Sequence, residues 1–196
     1  ALLLTAFVAS HTPAAEPRIT RDVPYADPAD PRQMLDVYAP ASGRGLPVIV
    51  WIHGGGWRRG DKASVQLKPA AFVERGFLFV STTYRFVPDV TVREMTGDVA
   101  RAIRWAHDHA AEYGGDGKRI IVMGHSAGAH LAALVCTDES YLKSVGLSLD
   151  ILQGCVPIDV SMYDIPKQMA TVTDEARKSA YRNAFGDEAA VHRDLS

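Results

Sequence analysis

Cysteine is scarce in this chain: two residues, Cys136 and Cys155, in 196. So few cannot build a disulfide-stapled scaffold, and the fold has to rest on an apolar core, which a chain of this length is able to bury. Metal-ligand spacing is absent too. His107 and His109 stand two apart on a predicted helix and so face different sides, while His125 and His130 belong to no HExxH pattern, so no metal is expected. Neither sign of charge is in excess: 21 Lys and Arg against 23 Asp and Glu leave a net charge of −2. That balance gives no basic footprint for nucleic acid. The apolar stretch at 1–10 is too short to span a bilayer. With no repeat or low-complexity tract, 47% hydrophobic residues and 22% charged ones describe an ordinary soluble globular domain.

What is present alternates between two periods. Short apolar, β-branched runs at 19–25, 34–38, 48–52, 78–83, 119–123 and 151–156 read as six strands. Between the fourth and fifth, Met95, Val99, Ala102, Ile103, Ala106 and Ala110 recur at helical spacing, and Gly114 and Gly115 supply a stop. A second helical crossover is expected over 62–75, ended by Gly76, and the polar stretch 40–46 reads as a turn. Strands alternating with helices predict an α/β fold, a doubly wound and mostly parallel sheet whose ligand crevice opens at the strand C-termini.

Two motifs fall at such ends. Gly124, His125, Ser126, Ala127 and Gly128 form a GxSxG pentapeptide between the fifth strand and a helix-forming run at 129–135. A sharp strand-to-helix turn of this kind lifts a serine hydroxyl clear of the sheet, and the new helix aims its positive end at the site. Ser126 therefore reads as a nucleophile, with a plain tight turn as the alternative. Upstream, the run 47–52 empties into His53, Gly54, Gly55, Gly56 and Trp57. Three glycines after a strand carry an entropic cost that makes sense where backbone amides must approach a ligand closely. Gly55, Gly56 and Ala127 are the expected N–H donors to an oxyanion. Trp57, Arg58 and Arg59 are placed to line an acyl or alcohol pocket, with a solvated surface an equal reading for the arginines.

HGGGW at 53–57, the Tyr-Arg pair at 84 and 85, and GHSAG at 124–128 resemble the α/β-hydrolase superfamily on its carboxylesterase and lipase branch, in the company of hormone-sensitive-lipase-like, feruloyl-esterase-like and arylformamidase-like enzymes. The resemblance implies a serine hydrolase that cleaves small-molecule carboxylic esters through an acyl-enzyme on Ser126, without a cofactor. It also implies that His53 shapes the oxyanion loop rather than acting as the base, and that Arg85 pairs with Asp98. In that superfamily the acid follows the seventh strand and the histidine the eighth. Six strands are countable, so residues 17–196 read as a partial domain, with acid and histidine expected beyond Ser196. Asp187 and His192 are not assembled into a triad, because 164–185 is polar and helix-like with no strand to deliver them, and His192 is expected at the surface. Residues 1–16 resemble the tail of a signal peptide, which predicts export, with a cytoplasmic location the alternative. Cys136 and Cys155 sit in apolar runs and are expected as buried free thiols, a disulfide being open to an exported chain. A hydrolase-fold binding protein without chemistry, and an amidase or peptidase, remain the alternative functions. The sequence leaves oligomeric state open.

Overall fold

A computed structural model describes residues 16–160 and 162–196. The leader-like segment at 1–16 thus lies, but for Glu16, outside the described residues. Six strands form one sheet in the order β1-β2-β4-β3-β5-β6: β1 (Arg18–Pro24), β2 (Met34–Ala39), β3 (Leu46–Ile52), β4 (Leu78–Thr82), β5 (Gly115–His125) and β6 (Leu152–Ile158). β1, β2 and β4 pair antiparallel, while β4, β3, β5 and β6 run parallel. All six predicted strands are present, and β6 is an edge strand with Val156 and Ile158 exposed. No further strand follows β6 among the described residues.

Both faces of the sheet are covered, which is why its central strands read as unbroken apolar runs. Side chains alternate: Val48, Val50 and Ile52 of β3 join Ile120 and Val122 of β5 on one face, while Ile49 and Trp51 join Phe79 and Met123 on the other. The larger core lies under helix α2 (Val92–His109) and helix α3 (Ala127–Thr137). Thr91 and Glu94 close a reciprocal capping box at the start of α2. Met95, Val99, Ala102, Ile103 and Ala106 are fully buried along its inner stripe, as their spacing predicts. Gly114, left-handed at φ 87°, ends the short 3-10 turn after α2 and lets β5 begin at once.

The helix expected over 62–75 is shorter, α1 (Lys68–Glu74). Asp61 captures the Ala63 N–H through its side chain, Gln66 sits at φ 48°, and Pro69 starts the helix, so 61–67 is spent in turns. That turn segment is pinned to the sheet. Lys62 Nζ lies 3.0 Å from Asp36 Oδ1 and 2.6 Å from Asp22 Oδ1, and its carbonyl accepts the Ser81 hydroxyl at 2.7 Å. The expected Arg85–Asp98 pair is present and bidentate, at 2.9 and 2.8 Å, and Gln33 and Arg101 complete the ring around the buried carboxylate.

After β6 come α5 (Ile165–Thr171), α6 (Glu175–Phe185) and α7 (Ala189–Asp194), with α4 (Glu139–Ser144) earlier. Two sequence expectations fail here for one reason. His192 is buried, not at the surface, because α7 folds back and sets its Nε2 2.9 Å from the Gly186 carbonyl. Trp57 turns inward, 4% exposed, and packs edge-on against Phe185 of α6 at 4.9 Å and His130 of α3 at 5.8 Å. The C-terminal helices are amphipathic and need an apolar surface, and Trp57 supplies it.

His130 makes this packing sensitive to acid. Its Nε2 stands 2.8 Å from the Leu195 carbonyl, its Nδ1 is buried without a partner among the described residues, and burial depresses its pKa to about 4. The unfolded side chain titrates near the ordinary value of 6.5. Stability from the neutral ring is therefore complete above pH 6.5 and is lost as pH falls towards 4. Between pH 7.5 and 4.5 the wild type should lose about 2 to 3 kcal/mol more in urea unfolding than His130→Gln. Equal losses would contradict this account of the buried imidazole.

Candidate active site

β5 ends at His125 and α3 begins at Ala127, leaving Ser126 alone to make the turn at φ 52°, ψ −121°. A non-glycine residue in that region is strained and persists only where its surroundings fix it. Here the Ser126 N–H donates to the Ile158 carbonyl at 2.9 Å, and the Ser126 carbonyl accepts the N–H of Ala129 at 2.9 Å. The turn is thus clamped by the edge strand on one side and the new helix on the other. A Cβ at Gly124 would lie 2.2 Å from the Gly128 carbonyl oxygen, and one at Gly128 would lie 2.3 Å from the Ile52 carbonyl oxygen. Both flanking glycines are required by close approach, so the pentapeptide is not a casual loop.

The glycine loop after β3 meets this turn directly. A Cβ at Gly54 would fall 3.1 Å from the Ser126 Cβ and 2.8 Å from the His125 carbonyl oxygen. Gly55 has φ 136°, and a Cβ there would come within 1.8 Å of the Arg59 carbonyl oxygen. Only glycine fits. Among the described residues, the loop's main-chain hydrogen bonds run from the Arg58 N–H to the Gly55 carbonyl and from the Val87 N–H to the Trp57 carbonyl, and none uses the N–H of Gly55 or Gly56. Ala127, first residue of α3, has an N–H with no partner inside the helix.

His53 is held as a scaffold. It stacks on Tyr84 at 4.6 Å, its Nδ1 lies 2.8 Å from the Gly54 carbonyl, and the Tyr84 hydroxyl donates to the His53 carbonyl at 3.0 Å. Burial lowers the His53 pKa, which keeps the ring neutral. It thereby forms part of the wall of the glycine loop. His107 and His109 lie apart on α2, bonded to the Gly117 carbonyl and Glu112. Among the described residues, no three His, Cys, Asp or Glu side chains gather as metal ligands.

A cleft of about 480 Å³ opens beside the turn, walled by Trp51, Gly54, Gly55, Arg59, Lys68 and His125. The structure therefore brings Ser126, Ala127, Gly55 and Gly56 to one end of the parallel strands, and it leaves Trp57, expected in the pocket wall, in the core. Arg58 and Arg59 are exposed, and only Arg59 reaches the cleft. Lys68 and Trp51 were missed by sequence reasoning. The Lys68 Nζ sits 4.4 Å above the Trp51 ring. Alternation along β3 carried the signal for Trp51, since it places that ring on the α1 face; nothing local marked Lys68. His125 reaches towards Asp159, at 3.5 Å across the mouth of β6. Asp187 is taken up by Arg182 at 3.4 Å.

The chain is similar to known proteins. The BD-FAE family model matches residues 35–171, from β2 to the end of α5. Isoprenylcysteine alpha-carbonyl methylesterase ICME of Arabidopsis thaliana is 35% identical over 133 residues, which is 67% of this chain and 31% of that protein. Esterase LipQ of Mycobacterium tuberculosis is 37% identical over 125 residues, 62% of this chain and 30% of that one. Among solved structures, an inhibited esterase B from Lactobacillus rhamnosis superposes with a TM-score of 0.73 at 25% identity, covering 92% of this chain and 61% of its own. The chain spans less than a third of the length of these curated relatives.

Proposed function

Because the chain belongs to the BD-FAE family, with the α/β-hydrolase fold, we propose that it hydrolyses carboxylic esters, with Ser126 as the nucleophile. The observation that carries the proposal is the abutment of the strained Ser126 turn on the glycine loop, Gly54 fitting against it only because it has no Cβ. In this reading the Ser126 oxygen attacks the ester carbonyl and the alcohol departs, leaving an acyl-enzyme. The N–H groups of Gly55, Gly56 and Ala127 receive the negative oxygen of the tetrahedral intermediate, and the start of α3 adds its positive end. Water then releases the acid and restores Ser126.

The proposal extends to the proton acceptor. His53 and His130 are buried and bonded elsewhere, and His192 is turned to Gly186. A histidine and an orienting carboxylate encoded after Ser196 complete the machinery in this reading, as the family order implies. The names of the relatives support ester over amide substrates, since each is called an esterase. The test is hydrolysis of 4-nitrophenyl butyrate against the matching anilide, using the protein as the cell makes it. Release of nitrophenol with the anilide left intact is expected; an inert ester would overturn the proposal.

A further inference from the structure

Behind the nucleophile turn, helix α3 packs on edge strand β6. The Cys155 Sγ on that strand lies 3.5 Å from the carbonyl oxygen of Ala132. Cys136 stands one helical turn beyond Ala132, on the same face of α3, in the direction that carbonyl points. Both cysteines border one hollow of about 240 Å³, with Leu149 and Leu152 beside them. Both are free, and neither is sealed from solvent. The apolar runs around them predict buried free thiols, with a disulfide open to an exported chain. α3 runs on to Thr137 and β6 to Ile158, so both side chains sit within their elements, at half-buried positions on the same hollow.

We propose that Cys136 and Cys155 are a redox-reactive pair that closes to an intramolecular disulfide, tying the helix that starts behind Ser126 to the strand whose Ile158 carbonyl holds the Ser126 N–H. The inference stands apart from the esterase reading, since it concerns the frame and not the chemistry. The co-reactant is a low-molecular-weight disulfide such as oxidised glutathione. One protein thiolate attacks a glutathione sulfur, the glutathione S–S bond breaks, and one glutathione leaves as thiolate and takes up a proton. The second protein thiol loses its proton to water and attacks the mixed disulfide, expelling the other glutathione. Two protein thiols are oxidised and one glutathione disulfide is reduced to two thiols. Hydrogen bonding with Cys136 pulls the Cys155 thiol below its ordinary pKa, and the same contact, with burial, pushes Cys136 up.

Closing a loop of about 20 residues constrains the unfolded chain, which corresponds to a rise in Tm of roughly 5 to 10 °C. The experiment incubates the folded protein with oxidised glutathione, quenches with acid, and reads intact mass, free thiols after denaturation, and Tm. The expected product is a monomer lighter by about 2 Da, with both thiols lost together, a peptide joining residues 136 and 155, and a higher Tm that dithiothreitol reverses. Cys136→Ser should instead stop at a glutathione adduct on Cys155. Retention of two titratable thiols in the wild type, a stable glutathione adduct in place of the cross-link, or a disulfide-linked dimer would each overturn the proposal. The wild-type mass decides the matter even if a serine variant folds poorly.

Discussion

Ser126→Ala is expected to lower kcat/KM for a 4-nitrophenyl ester by roughly 10⁴-fold or more while leaving the melting transition within a degree or two of wild type. The rate loss follows from the chemistry: no other side chain stands on the turn between β5 and α3, and a methyl group cannot form an acyl bond. The small effect on stability follows from the geometry. The contacts that clamp residue 126 are main-chain ones, its N–H to Ile158 and its carbonyl to Ala129, and alanine keeps them. The backbone strain at φ 52° is common to both residues, so it cancels in the comparison. A variant retaining a tenth of the wild-type rate would show that the hydroxyl is a bystander. A variant that unfolded would show instead that the side chain is structural.

Gly55→Ala should produce the second large effect, a fall in kcat of about 10² to 10³ with a smaller change in KM. The added methyl would sit 1.8 Å from the Arg59 carbonyl oxygen, in a backbone conformation, φ 136°, that alanine rarely adopts. The loop must move, and the N–H groups of Gly55 and Gly56 move with it. Donors aimed at an oxyanion stabilise charge that exists only in the transition state, so the loss appears in kcat. Gly56→Ala is the informative contrast. Its Cβ would meet nothing within 4 Å, so the milder strain of φ 61° is all that remains and a smaller loss is expected. Equal losses at both positions would count against a cradle fixed by the Gly55–Arg59 approach.

Local patterns carried the fold furthest where a segment's own period decides its fate. The six strands, the stripe of α2 and the two glycine motifs are legible because alternation, helical spacing and tight approach leave marks within a few residues. The pairing of Arg85 with Asp98 was legible too, through the resemblance. What escaped depends on chain remote in sequence. Trp57 follows the glycine loop and has the character of a pocket wall, yet α6 brings Phe185 against it and draws it inward. His192 reads as a surface residue until α7 closes on Gly186. The turns at 61–67 interrupt a stretch of helical composition, and Lys62 within them is held by Asp22 of β1 and Asp36 of β2, partners remote in sequence.

The central claim is that the hydroxyl at position 126 is poised to take an acyl group, and covalent trapping tests it most directly. A fluorophosphonate probe, offered to the folded protein as the cell makes it and mapped by peptide mass spectrometry, should label Ser126 stoichiometrically and no other serine. Folded protein that leaves the peptide around residue 126 unmodified, or carries the label elsewhere, would contradict the account.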